Sequence, residues 1–98
     1  MRPTLYKLVD RIPVPVEEMG VELQSSDERR VALTNIGDTI VSTVFLQIDH
    51  AWEGQPLLFE TMVFEGIFDM ESERTSTWDE AVEAHERMCE RVRQGAGQ

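Results

Sequence analysis

The sequence predicts one small α+β domain: an antiparallel three- to four-stranded β-meander with a C-terminal amphipathic helix packed on one face. Three observations carry that expectation. Two runs rich in β-branched residues, 31–36 and 39–48, are separated only by Gly37-Asp38. A third run, 56–64, alternates its side chains along its length. The stretch after Ser76 repeats apolar residues at helical spacing. A chain of 98 residues fits a single domain, residues 1–98, around one core.

Taken in order, residues 4–9 (TLYKLV) form a short apolar run that suits a first edge strand. Pro13 and Pro15 follow; neither can donate a backbone hydrogen bond, so the chain there is extended or turning. Residues 16–23 are compatible with a short N-terminal helix whose first turn carries Glu17 and Glu18, although Gly20 counts against it. Residues 25–30 (SSDERR) read as a polar turn.

The clearest strand pair is 31–36 with 39–48, joined at Gly37-Asp38. In the second strand Ile40, Val44, Leu46 and Ile48 share a face with Ser42, while Val41, Thr43, Phe45 and Gln47 share the other. The first set is the more apolar and is the expected core face. Residues 49–55 (DHAWEGQ) form a loop. In the strand at 56–64, Leu57, Phe59, Thr61 and Val63 are the expected core face. Ile67-Phe68 is the candidate for a short fourth strand, with a polar loop at 69–75.

The helix begins at a capping box, Thr77 with Glu80, or alternatively Ser76 with Asp79. Trp78, Ala81, Val82, His85, Met88, Cys89 and Val92 form its apolar stripe. Asp79, Glu83, Glu86, Glu90 and Arg93 lie opposite, and Gly95 is the expected stop.

Composition narrows the function classes. Asp and Glu outnumber Lys and Arg by 19 to 9, giving a formal charge of −10. Such a surface repels phosphates and anionic lipids, so no direct nucleic-acid contact and no membrane association are expected. A protein partner with a basic surface suits this charge; acidity also serves solubility alone. One cysteine, Cys89, precludes an intrachain disulfide and fits a cytoplasmic setting. No run of about 18 apolar residues is present.

No Gly-rich phosphate loop, nucleophile elbow or paired-cysteine metal site occurs, so no catalytic residue, metal site or cofactor is assigned. The closest approach to a reactive cluster is Asp49, His50 and Glu60, with His85. A carboxylate–imidazole group of this kind holds a divalent metal or moves protons, and it equally shapes a turn. Cys89, one helical turn after His85, reads as a packed small hydrophobe rather than a nucleophile. Trp52 in the AWEGQ loop is a candidate partner anchor or a cover for the open end of the sheet. The carboxylates Asp79, Glu83, Glu86 and Glu90 are the candidate contact with a basic partner.

Three blocks also occur in order: Ser42-Thr-Val-Phe-Leu46 followed by Asp49-His50, then PLLFETMVF at 56–64, then STWDEA at 76–81. Over residues 30–93 the chain thereby resembles a family of small uncharacterised proteins of phages, prophages and bacteria. The resemblance implies a cytoplasmic, phage-associated accessory protein and assigns no catalytic residue. Charge and resemblance together suggest a binder of a basic host protein, for example an inhibitor of a defence system such as CRISPR-Cas. The alternatives are a homodimeric or virion-associated structural module, and a small metal-dependent enzyme using Asp49, His50 and Glu60.

Overall fold

A computed structural model describes residues 5–16, 25–48 and 54–96. Its architecture is α+β, with a two-stranded and a four-stranded antiparallel sheet and a C-terminal helix on one face of the larger sheet. Strands β1 (Leu5–Val9) and β2 (Ile12–Val16) form a hairpin, with Val9 opposite Ile12. The intervening Asp10 and Arg11 both have positive φ, 51° and 68°, which matches the right-handed twist of a tight hairpin. Pro13 and Pro15 are accommodated because a two-stranded sheet has outward edges that require no amide donor. The expected helix at 16–23 lies outside the described residues apart from Val16, which ends β2.

The polar stretch expected as a turn contains a single helical turn, α1 (Ser26–Arg29). Ser25 caps it: its hydroxyl accepts the Glu28 amide at 3.2 Å. Strand β3 (Arg30–Ile36) then pairs with β4 (Thr39–Phe45), and Ile36 faces Thr39 across the two-residue turn. Gly37 supplies positive φ at the first turn position, where L residues are strained. A bulge between Arg30 and Ala32 turns Val31 toward the core.

Strand β5 (Phe59–Phe64) pairs with β4, and β6 (Ser72–Thr75) pairs with β5, giving the order β3-β4-β5-β6. The fourth strand therefore lies within the segment expected as a polar loop. Ile67-Phe68 belongs instead to the turn that precedes it. Apolarity misled here because β6 is an edge strand, and Ser72, Glu73, Arg74 and Thr75 need only one hydrogen-bonded neighbour.

A second correction concerns β4. Its buried face is Val41, Thr43 and Phe45, continued by Gln47, not the Ile40–Val44–Leu46 face. Register explains the choice. Val41, Thr43 and Phe45 stand opposite Val63, Thr61 and Phe59, so the core faces of β4 and β5 coincide. The hydroxyl of Thr43 is buried without penalty because it hydrogen-bonds both Thr61 and His85.

Helix α2 (Trp78–Ala96) covers this face. Its core contributors are Ala81, Ala84, His85, Met88, Cys89 and Val92, all buried. One cluster joins Val41, Val63, Met88, Cys89 and Val92, with Ile36 and Phe68 at its edge. The other joins Phe45, Leu58, Phe59 and Ala81, with Tyr6, Leu8, Val31 and Trp78 around them. Gly95 does not stop the helix, which runs on to Ala96. A Cβ there would lie 2.5 Å from Phe68 Cε2, so glycine lets the β5–β6 connection close against the helix.

Candidate functional site

The start of α2 determines where its carboxylates point. Thr77 Oγ1 accepts the Glu80 amide at 3.1 Å, and Glu80 Oε1 accepts the Thr77 amide at 3.1 Å. This reciprocal cap fixes the first turn, and the apolar stripe then fixes the rotation of the helix on the sheet. Asp79, Glu83, Glu86 and Glu90 follow at intervals of four, three and four residues, all exposed. They form one line opposite the buried stripe, about 16 Å long at 1.5 Å per residue.

Arg93 continues that line at its C-terminal end, while the other two arginines of α2 are drawn away from it. Arg87 reaches Glu73 at 2.8 Å and Arg91 reaches Glu71 at 2.9 Å, both on the flank beside β6. Arg91 also stacks its guanidinium over Phe68, 4.8 Å from the ring centre. Within the line, Asp79–Glu83 and Glu86–Glu90 are like charges one turn apart. Each such pair costs the isolated helix about 0.2–0.5 kcal/mol.

The polar cluster weighed from the sequence is not assembled. Glu60 pairs with Arg74 Nε at 3.0 Å on the uncovered face of the sheet, whereas His85 lies in the core beneath the other face. Asp49, His50 and Trp52 lie outside the described residues. Among the described residues no group of three or more His, Cys, Asp or Glu side chains could hold a metal ion. Both ring nitrogens of His85 meet threonine hydroxyls at 2.8 Å, Thr34 on one side and Thr43 on the other. Cys89 is packed among Val41, Val63, Met88 and Val92. Burial pushes the His85 imidazole below its ordinary pKa, and the neighbouring Glu86 carboxylate opposes that shift in part.

Two features escaped sequence reasoning. The first is the buried chain Thr61–Thr43–His85–Thr34, which becomes visible only when β4 and β5 are set in register. The second is which apolar face of the sheet α2 leaves open: it is the one that carries Ile40 and Val44, with Leu33 and Phe64 47% and 40% exposed. A shallow depression of ≈ 320 Å³ lies between the β1–β2 turn and the start of α2, lined by Arg11, Trp78 and Asp79 among others. Among the described residues, no helix is long and apolar enough to cross a membrane. Comparisons with family models, with curated proteins and with solved structures gave no match.

Proposed function

We propose that this chain is a small acidic accessory protein that acts by binding, and that the carboxylate line of α2 is its contact with a basic protein. The observation that carries this reading is the alignment of Asp79, Glu83, Glu86 and Glu90 on the exposed side of a rigidly capped helix. Their mutual repulsion is a cost in the free protein that a basic partner relieves. The formal charge of −10 steers such a partner toward the molecule over a range set by ionic strength.

The sequence blocks that resemble phage and prophage proteins favour a host protein as the partner. A nucleic-acid-binding component of a defence system, such as a CRISPR surveillance complex, has the matching chemistry. Carboxylates spaced along a helix occupy a groove built for phosphates. The setting is then the cytoplasm of a bacterial host.

Affinity capture from host lysate, with the wild type and a Glu83→Lys/Glu86→Lys variant in parallel, tests this reading. The wild type should retain a basic nucleic-acid-binding protein at low salt and release it as salt rises, and the variant should lose it. Equal recovery by both proteins would count decisively against the helix line as the contact.

A further inference from the structure

An outer strand edge invites pairing with another chain, and the fold guards two of its edges. On β2 the outward positions hold Pro13 and Pro15, which have no amide to offer. Strand β6 is four residues long and carries Glu73 and Arg74, held in ion pairs with Arg87 and Glu60. Strand β3 has neither guard. It is seven residues long, and between Arg30 and Asp38 the chain has no charged residue and no proline.

Alternation fixes which groups of β3 face out. The Leu46 amide donates to Leu58 O, so Ile40, Ser42 and Val44 direct their backbone groups toward β5, and Val41 and Thr43 direct theirs toward β3. Their partners there are Thr34 and Ala32. Leu33 and Asn35 therefore point amide and carbonyl outward. Among the described residues no hydrogen bond reaches those groups, and both residues are exposed.

We propose that a second copy of this chain pairs its own β3 antiparallel along this edge, joining two four-stranded sheets into one across a two-fold axis. The unpaired groups select an extended strand, since another β-strand is what matches donors and acceptors at that spacing. Charge selects which strand. The stretch 31–37 offers no carboxylate to a basic segment, so the basic partner of the helix line has nothing to meet here. The fitting occupant is an uncharged strand with an unpaired edge of its own, and β3 is one. With the axis through Thr34, Leu33 faces Asn35 of the second copy and Asn35 faces its Leu33, a reciprocal pairing. Ala32 of each copy then meets Ile36 of the other on the α2 side of the sheet, so the inward and outward positions stay in step across the seam.

Pairing along one strand buries less than the roughly 1,000 Å² of a stable specific interface, so a dissociation constant on the order of 100 μM is expected. Two chains of charge −10 repel each other, so added salt should tighten the dimer. Salt should weaken the proposed helix contact, which keeps the two readings apart.

Sedimentation equilibrium on the full chain, from low micromolar to millimolar concentration, tests the proposal. A reversible monomer–dimer equilibrium that tightens with salt is expected. The Leu33 and Asn35 amides should exchange more slowly with solvent as the dimer fills. Asn35→Pro removes an amide that the monomer leaves unpaired, and should weaken the dimer about tenfold or more. Leu33→Glu places a charge on the unguarded edge and should act likewise with unchanged far-ultraviolet circular dichroism, since the side chain is exposed. It decides the matter should Asn35→Pro fold poorly. Ser72→Pro on the β6 edge should leave the dimer intact. A monomer throughout the range overturns the proposal, as does a dimer indifferent to both β3 variants. A dimer lost in Ser72→Pro and kept in Asn35→Pro also overturns it, and moves the seam to β6.

Discussion

His85 shows how a single polar residue is accommodated in a small core. Its Nε2 lies 2.8 Å from Thr34 Oγ1, its Nδ1 lies 2.8 Å from Thr43 Oγ1, and Thr43 in turn lies 2.7 Å from Thr61. A neutral imidazole has one donor and one acceptor, so the chain runs in a single direction whichever nitrogen carries the proton. If Nε2–H donates to Thr34, Nδ1 accepts from Thr43, which accepts from Thr61. The imidazolium is also satisfiable, because both hydroxyls can accept. The cost of protonation is therefore the burial of charge, consistent with a pKa lowered by desolvation against the pull of Glu86. A folded-state pKa below the unfolded value of 6.5 means that the unfolded chain takes up the proton first. Stability should be fully present above that value and should fall as pH drops through it toward the lower folded value. Urea unfolding at pH 7.5 and 5.5 checks this. His85→Leu should flatten the difference attributable to this window, and an unchanged slope in the variant would refute the assignment. The sequence placed His85 on the buried stripe, but its partners were hidden because threonine on a strand reads as half-polar until cross-strand register pairs it.

At the scale of elements, α2 was the most legible because its signals are local. The capping box, the apolar stripe and the opposite acidic line all follow from spacing within one segment. Thr77→Ala should remove the cap and cost about 1 kcal/mol. In a domain of this size that lowers the melting temperature by roughly 4–8 °C, readable by thermal circular dichroism. Ser76→Ala should have a smaller effect, since the Ser76 hydroxyl is not the cap that bonds Glu80. Strands β3, β4 and β5 were legible as strands, but not all of their faces were. Phe59, Thr61 and Val63 were recognised as the core side of β5, while β4 was assigned by counting apolar residues, and that count favoured the open face. Register against β5 makes Val41, Thr43 and Phe45 the core side of β4. The apolar residues left over on β4, Ile40 and Val44, lie half-buried on the face opposite α2. Gly95 and β6 were missed for a common reason: one is a packing contact with Phe68 and the other an edge pairing, and both are defined by neighbours distant in sequence.

At the scale of the whole molecule, the described fold has a strong joint and a weaker one. The four-stranded sheet and α2 share two buried clusters, whereas the β1–β2 hairpin is held at one end of the second cluster. Its described attachments are the Tyr6 amide donating to Gln47 O at 2.7 Å, Gln47 Nε2 donating to Tyr6 O at 3.3 Å, and a bridge between Leu5 and Ile48. Tyr6 and Leu8 add packing, and Arg11 lies over Trp78, 5.2 Å from the ring centre. A two-stranded hairpin is marginal by itself in water, so it persists through these contacts. Trp78 is the common element. It meets Phe59 edge-on at 6.3 Å, and Phe59 meets Phe45 at 5.5 Å, so one ring links hairpin, helix and sheet. Trp78→Ala should cost about 2–3 kcal/mol, less than a fully buried tryptophan because the ring is half-exposed. The loss should not be uniform. Amide hydrogen exchange should accelerate across Leu5–Val16, while amides of β4 and β5 keep the protection set by global unfolding. A proportional loss over all strands would instead make the hairpin part of one cooperative unit. Because Met88, Cys89 and Val92 seat α2 on Val41 and Val63 away from that joint, Glu83, Glu86 and Glu90 should keep their geometry in Trp78→Ala. The variant would then separate the contribution of the hairpin from that of the acidic helix in any binding measurement.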